Sequence, residues 1–168
     1  MEISGADYIS MSYLPINEQE RNLIAAMTGP LREGWSPWSI YVQAWHETGN
    51  FKKVIGTANY WGITKPKKWT GKVHLVPTHE YINGKRVDLS REFIDWDSAS
   101  EALFWYMGLI KRLYPGAYEH RANPILFFAG LVNGKNVYAT DPDYLPQLEA
   151  LYRKLSVNAG LDAALKHV

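Results

Sequence analysis

The segment WHETGNF, residues 45–51, places a glutamate near the C-terminal end of an apolar stretch with helical spacing. A carboxylate at this end of a helix faces the negative pole of the backbone dipole, and partial burial disfavours its charged form further. Both effects predict a raised pKa for Glu47. A carboxyl group that stays protonated near neutral pH is suited to protonate a glycosidic oxygen. The alternative interpretation is a solvated residue at a helix end.

The pair His46-Glu47 also begins the metalloprotease motif HExxH, in which two histidines four residues apart bind zinc. The position of the second histidine is occupied by Asn50, and the chain has 5 His and no Cys. A cysteine zinc site is therefore excluded, and a histidine site is disfavoured. We expect neither a metal nor another cofactor, and we expect His46 to pack against or support the residues that do chemistry.

A glycosidase normally needs a second carboxylate, or a substrate group in its place, to activate water or to stabilise the transition state. Glu80 in PTHEYING is the candidate, because it precedes an Asn-Gly turn that could carry it over a cleft. An exposed strand glutamate without a chemical role is the alternative. Three further acidic residues compete, but the last two are expected to cap a helix: Asp95, Asp97 and Glu101.

Candidate sugar-binding residues follow in the segment ANYWGIT, residues 58–64. Aromatic faces stack on sugar rings, and an asparagine amide suits an N-acetyl group. Packing of the tryptophan in the core is the alternative interpretation. We expect a sugar-binding surface that comprises Asn59, Tyr60, Trp61, Gly62 and Trp69. Tyr138, in NVYATDPDYL, is expected on a loop that borders the same cleft.

Capping residues followed by proline mark three helix starts, at Ser36-Pro37, Asn123-Pro124 and Asp141-Pro142. Ser98 and Glu101 form a capping box ahead of a helix with apolar residues all round, which is expected to be the central buried helix. The β-prone segment at 70–96 contains Asn83-Gly84, a strong hairpin signal. We expect helices over residues 18–28, 37–48, 98–113, 124–132 and 142–155.

These elements predict one α+β domain over residues 1–168, mostly helical, with a β-hairpin lobe at about 70–96 beside a cleft. The formal net charge of +1 provides no field for binding nucleic acid. No apolar stretch approaches about 18 residues, and the N-terminus lacks a basic and apolar leader. We expect a soluble monomer without a membrane span or signal peptide.

Taken in order, these segments resemble the endo-β-N-acetylglucosaminidases of glycoside hydrolase family seventy-three, the bacterial autolysin and flagellar-muramidase group. QAWHETGNF resembles the Q-x-x-x-E-[ST]-G signature of the family, and YATDPDYLPQL matches Y-A-T-D-P-x-Y-x-x-x-L. ANYWGIT resembles N-x-F/W-G-I-K, with Thr64 before Lys65. PTHEYINGKRVDLSREFIDWDSASEAL is similar to T-x-E-x-x-x-G followed by F-R-x-Y-x-S-x-x-E-S, with Ile94 and Trp96 replacing arginine and tyrosine.

The resemblance covers about residues 20–155 and implies a lysozyme-like fold. It implies hydrolysis of the β-1,4 bond between N-acetylglucosamine and N-acetylmuramic acid in peptidoglycan, on the bacterial cell wall. Glu47 would be the general acid, Glu80 the second carboxylate, and Tyr138 a further site residue. The chain could serve as a phage lysin, an effector or an autolysin.

Three alternatives stay open at this point. A lytic transglycosylase or a muramidase would use one catalytic glutamate, and the transglycosylase would leave an anhydro product. A glycan-binding module would keep the aromatic cleft without catalysis. Within a hydrolase, Glu80 could activate water with inversion, or the 2-acetamido group of the substrate could participate with retention.

Overall fold

A computed structural model describes residues 13–166, and at residues 79–81 it describes the backbone alone. Within this range the chain forms eight α-helices and one antiparallel hairpin, which confirms the predicted α+β, mostly helical fold. None of the described helices is long and apolar enough to cross a membrane. The elements are α1 (Glu18–Ala26), α2 (Thr28–Arg32), α3 (Pro37–Thr48), β1 (Val73–Ile82), β2 (Lys85–Ile94), α4 (Ala99–Leu113), α5 (Pro115–Glu119), α6 (Pro124–Val132), α7 (Tyr144–Leu155) and α8 (Ala159–Lys166).

Helix α3 is the most enclosed element, since residues 37–44 are all buried. It begins with Pro37 in the first turn and ends at Gly49, which has a φ of 57° and forms the left-handed cap predicted from the sequence. The expectation that the helix after Ser98 would be the central one is wrong. Helix α4 buries one face only, and Phe104 on its other face is 79% exposed.

The caps of two later helices were predicted from local sequence, and one prediction fails. Asn123 accepts a hydrogen bond from the backbone N–H of Leu126 at 3.2 Å and caps α6 as expected. Asp141 was expected to cap the following helix, but α7 begins two residues beyond Pro142, at Tyr144. The Asp141 carboxylate instead accepts from the backbone N–H of Asp143 at 2.9 Å and stabilises the turn before the helix.

The capping box before α4 is present in a modified form. The Ser98 hydroxyl accepts from the backbone N–H of Glu101 at 3.2 Å. The Glu101 carboxylate accepts from the backbone N–H of Asp97 at 3.2 Å, one residue before the cap. Both groups therefore satisfy free N–H groups at the helix start.

A buried carboxylate joins α1 to α3. Glu20 has no exposed surface and accepts hydrogen bonds from the Tyr41 hydroxyl at 2.6 Å, the Ile16 backbone N–H at 2.5 Å and the Tyr13 hydroxyl. Three donors satisfy most of the acceptor capacity of this carboxylate, which is what permits its burial. Burial and the contact with Glu20 raise the pKa of Tyr13 to about 12, so it remains a donor. We interpret Glu20 as a structural anchor.

The hairpin has the register and turn that the sequence predicts. Its strands pair from Val73 opposite Ile94 to Ile82 opposite Lys85, and both Asn83 and Gly84 have positive φ, as a two-residue hairpin turn requires. At its base, the Ile94 N–H donates to the Ile63 carbonyl and the Lys65 N–H donates to the Glu92 carbonyl. The loop that follows α3 is thus hydrogen-bonded to the base of the lobe.

Candidate active site

Glu47 lies in the last turn of α3, and its carboxyl Oε1 accepts a hydrogen bond from the Tyr144 hydroxyl at 2.7 Å. Burial raises the pKa of Glu47, while the Tyr144 hydrogen bond and nearby His46 lower it by less. The net direction is upward, as the sequence predicts for a carboxyl group at this position. A raised pKa favours the protonated form that a general acid needs.

A hydrogen-bonded chain across the core orients the Glu47 carboxyl. The Tyr106 hydroxyl donates to Gln43 Oε1, and Gln43 Nε2 donates to the Tyr144 hydroxyl at 2.9 Å. Because an amide nitrogen only donates, the Tyr144 oxygen accepts from it and directs its own proton to Glu47. Gln43 lies one turn before Glu47 and has no exposed surface. Burial and the nearby Glu47 carboxylate raise the pKa of Tyr144, so the phenol remains a donor.

The turn after Glu47 is unusual because three successive residues have positive φ: Gly49, Asn50 and Phe51, between 57° and 63°. Side chains other than glycine rarely adopt this conformation. The Thr48 hydroxyl accepts from the Phe51 N–H at 2.8 Å, and the Phe51 ring is buried. These contacts hold the strained turn and therefore fix the end of the helix that carries Glu47.

His46 supports the site from the side. Its Nε2 lies 2.7 Å from Gln147 Oε1, and its ring meets the Tyr144 ring edge-on at 5.2 Å between centroids. His46 thus joins the end of α3 to the start of α7. Among residues 13–166, with the side chains of 79–81 set aside, no cluster of His, Asp and Glu could hold a metal ion.

Tyr138 lies beside the partner of Glu47. Its ring stacks on Tyr144 with centroids 6.2 Å apart, and its hydroxyl donates to the Trp61 carbonyl at 2.8 Å. Burial raises the pKa of Tyr138, so the phenol stays neutral. This hydroxyl is engaged with the loop after α3, and a role of Tyr138 in catalysis stays a prediction.

Glu80 lies in β1 opposite Val87, three residues before Asn83 of the hairpin turn. Its side chain lies outside the described part of the chain, so its role as the second carboxylate stays a prediction. The competing Asp95 is 9% exposed; its carboxylate accepts from the Thr57 N–H at 2.8 Å and lies 3.5 Å from Lys72 Nζ. Asp95 therefore stabilises a loop.

The expected sugar-binding role of the Asn59 amide is wrong. Asn59 is 1% exposed; its Nδ2 donates to the carbonyls of Ile63 and Ile94, both at 2.9 Å, and its Oδ1 accepts from the Ile63 N–H. No hydrogen is left for an N-acetyl group. Tyr60 has no exposed surface, and its hydroxyl donates to the Gln19 carbonyl. Sequence cannot distinguish these structural groups from exposed ones, because their partners are created by the fold.

Trp61 lines an open cleft of about 340 Å³, and Tyr138, which lines it too, stacks on the Tyr144 partner of Glu47. Trp61 is 1% exposed and its ring stacks on Tyr106 at 4.1 Å, so this ring packs in the core next to the cleft. Gly62 also lines the cleft. Trp69 is partly buried, and its indole N–H donates to the Lys72 carbonyl.

Two residues central to the site were given no role from sequence. Gln43 precedes Glu47 by four positions, which places both on one helical face, and this spacing is a usable signal. Tyr144 is remote in sequence, and its contact with Glu47 arises only when α7 packs on α3. Both residues occupy fixed positions in the motifs QAWHETGNF and YATDPDYLPQL.

Comparison with known proteins identifies structural relatives. A peptidoglycan hydrolase mutant from Sphingomonas sp. A1 is 25% identical, with a TM-score of 0.63 over 90% of this chain and 97% of that chain. The truncated glycoside hydrolase domain of FlgJ from Salmonella typhimurium is 28% identical, with a TM-score of 0.63 over 80% of this chain and 96% of that chain.

The catalytic domain of the autolysin Auto from Listeria monocytogenes is 21% identical, with a TM-score of 0.62 over 96% of this chain and 98% of that chain, and supports the fold alone. No protein-family model and no curated protein matches the chain. These similar structures, a peptidoglycan hydrolase, a glycoside hydrolase domain and the catalytic domain of an autolysin, confirm the resemblance inferred from the motifs.

Proposed function

We propose that this chain is a peptidoglycan hydrolase of the family seventy-three type and cleaves the β-1,4 bond between N-acetylglucosamine and N-acetylmuramic acid. The observation that carries the proposal is Glu47, a partly buried carboxyl group with a raised pKa that Tyr144 holds beside an aromatic cleft. The printed functions of the similar structures, a peptidoglycan hydrolase and a glycoside hydrolase domain, support the same reaction class. The expected place of action is the bacterial cell wall.

Glu47 is the general acid in this proposal. Its Oε1 is engaged by Tyr144, so we assign the transferable proton to Oε2. Transfer of this proton to the glycosidic oxygen lets the leaving sugar depart as an alcohol and leaves Glu47 as a carboxylate. The Tyr144 hydroxyl then donates to a charged acceptor, and such hydrogen bonds are stronger than neutral ones. Tyr144 therefore stabilises the product state of the proton transfer.

Glu80 is the proposed base that activates water on the opposite face of the sugar. The hairpin would bring Glu80 over the cleft, with the two carboxyl groups roughly 6.5 to 9.5 Å apart when the lobe is closed. This arrangement would invert the anomeric configuration. In the alternative, the 2-acetamido group of the substrate attacks first, the configuration is retained, and Glu80 matters less.

Two product measurements test the reaction. Mass spectrometry of muropeptides released from purified cell walls should detect reducing N-acetylglucosamine ends, whereas anhydro-muramyl ends would identify a lytic transglycosylase. NMR of the first product should show the α anomer. A β anomer would exclude single-step inversion and favour participation of the acetamido group. Wall binding without any cleavage would identify a glycan-binding module.

A further inference from the structure

We propose that Trp105 is the stacking platform of a second sugar-binding subsite, which holds a neutral N-acetylated sugar of the glycan strand next to the catalytic centre. This inference rests on the proposed function, since it assigns a ligand to the cleft beside Glu47. The subsite is formed by α4 and by the segment after Trp61. Its wall comprises Trp105, Tyr114, Pro66 and Lys65.

The Trp105 ring is held in place by other tryptophans. Trp69 meets it nearly perpendicular, at 87° and 6.3 Å between centroids, and Trp96 packs at 5.5 Å. The Trp69 indole is itself fixed by its hydrogen bond to the Lys72 carbonyl. Trp105 stays partly exposed and lines the cleft. A flat aromatic face that is already immobilised costs little conformational entropy when a ligand stacks on it.

The charge of the cleft favours a neutral ligand. Among the described residues that line it, the one formal charge belongs to Lys65, whose Nζ lies 2.8 Å from the Glu92 carboxylate. The Arg112 guanidinium does not line the cleft but lies 6.0 Å from the centroid of the Trp105 ring. The other lining side chains are uncharged: most are aromatic or aliphatic, and Thr64 is polar. An amphipathic sugar ring fits such a surface, because its apolar face can stack on indole while its hydroxyl groups stay in water. The cleft volume of about 340 Å³ lies at the lower end for ligand sites.

Two side chains connect this cleft to the catalytic centre. Tyr138 lines the cleft and also stacks on Tyr144, which donates to Glu47. Trp61 lines the cleft as well, and its carbonyl accepts from Tyr138. A glycan strand bound at Glu47 and continued past Tyr138 would therefore lie on Trp105.

The test measures binding of tetra-N-acetylchitotetraose by calorimetry in a Glu47→Gln background, where hydrolysis does not interfere. Trp105→Leu fills the tryptophan cluster with apolar volume but removes the flat face, and we expect about tenfold weaker binding. Trp105→Phe keeps an aromatic face and should recover most of the affinity. Phe104→Ala is the matched control, because Phe104 is the preceding residue of α4, is 79% exposed and lines a different pocket. It should bind like the parent.

Unchanged binding by folded Trp105→Leu, or equal losses in the leucine variant and the Phe104→Ala control, would overturn the subsite. Circular dichroism identifies variants that fail to fold. If Trp105→Leu is one of them, Trp105→Phe carries the test, because its smaller aromatic face should still cause a measurable loss of binding affinity. The proposed function is tested separately by muropeptide release from the chain with Glu47 intact. Hydrolysis with unchanged Trp105→Leu binding would retain the function and reject the subsite. Weakened binding by Trp105→Leu, together with no hydrolysis by the chain with Glu47 intact, would retain the subsite and reject the proposed function.

Discussion

Glu47 is the residue on which the proposed reaction depends, and its replacement by glutamine tests it directly. Glu47→Gln removes the transferable proton but keeps an oxygen that can accept from Tyr144. Loss of a general acid typically costs about 10²- to 10⁴-fold in rate. We expect a loss of this size in turbidity assays on purified cell walls, with an unchanged circular dichroism spectrum. Undiminished lysis by the variant would rule out Glu47 as the acid.

The same substitution should change how stability depends on pH. Because burial raises the pKa of Glu47 in the folded state above its ordinary value of 4.5, ionisation favours unfolding as the pH rises through the raised pKa. Glutamine does not ionise. We expect the Tm of Glu47→Gln to exceed that of the parent at pH 8, with the difference shrinking as the pH is lowered toward 4. A difference that is constant with pH would contradict a raised pKa.

Tyr144→Phe isolates the hydrogen bond to Glu47. This bond lowers the pKa of the carboxyl group, so its removal should raise that pKa further and shift the alkaline limb of the kcat/KM profile to higher pH. The rate at the optimum should fall about 10- to 100-fold, because the Glu47 carboxylate loses a donor and the buried Gln43 amide loses an acceptor. Tyr138→Phe is the control, since Tyr138 donates to Trp61, and its alkaline limb should stay in place.

The contrast between Glu47 and Asn59 explains which side chains sequence can assign. Glu47 lies near the end of an apolar helix with a glycine cap, and both of these features are local and can be predicted from the sequence. Asn59 looks suited to bind an N-acetyl group, yet its partners include Ile94, which reaches it only through the tertiary fold. The Tyr144 contact was missed for the same reason.

Among the helices as well, features that depend on neighbouring residues in sequence are easier to predict than features that depend on the tertiary fold. The start of α6 and the end of α3 follow from Asn123-Pro124 and Gly49, because caps act over a few residues. The Asp141-Pro142 signal fails, since its side chain stabilises a turn instead. Which helix is most buried depends on every neighbour at once, so the apolar composition of α4 did not identify α3 as the enclosed helix.

The end of α3 offers a test of how helix geometry supports the site. Gly49→Ala places a side chain at a φ of 57°, and the strain should cost about 1 kcal/mol. Gly34→Ala is matched, because Gly34 has a φ of 79° and also has space for a methyl group, but lies before α3. Both variants should lose similar stability in urea denaturation. Under conditions in which both variants are folded, hydrolytic activity should fall only in Gly49→Ala, because Gly49 fixes the turn beside Glu47. Equal losses of activity in the two variants would contradict this role.

The molecule as a whole separates into a helical body that carries Glu47 and a hairpin that carries Glu80. The described hydrogen bonds between them lie at the base, where Ile94 pairs with Ile63 and Glu92 pairs with Lys65. The strand partners Leu75 and Glu92, near the base, are adjacent, so a short Gly-Ser link can close the chain there. The body should therefore fold without the tip of the lobe.

Replacing residues 76–91 with such a link tests what the hairpin contributes. Because Glu47 and Trp105 lie outside the deleted segment, we expect cooperative unfolding and retained binding of tetra-N-acetylchitotetraose, with hydrolysis reduced at least as far as in the full-length Glu80→Gln variant. The Glu80→Gln variant distinguishes the contribution of the carboxyl group to hydrolysis from that of the rest of the lobe. Equal losses of hydrolysis in this variant and in the shortened chain would assign the contribution of the lobe to Glu80. Parent-like hydrolysis by the shortened chain would show that one carboxyl group suffices, in agreement with participation of the substrate acetamido group.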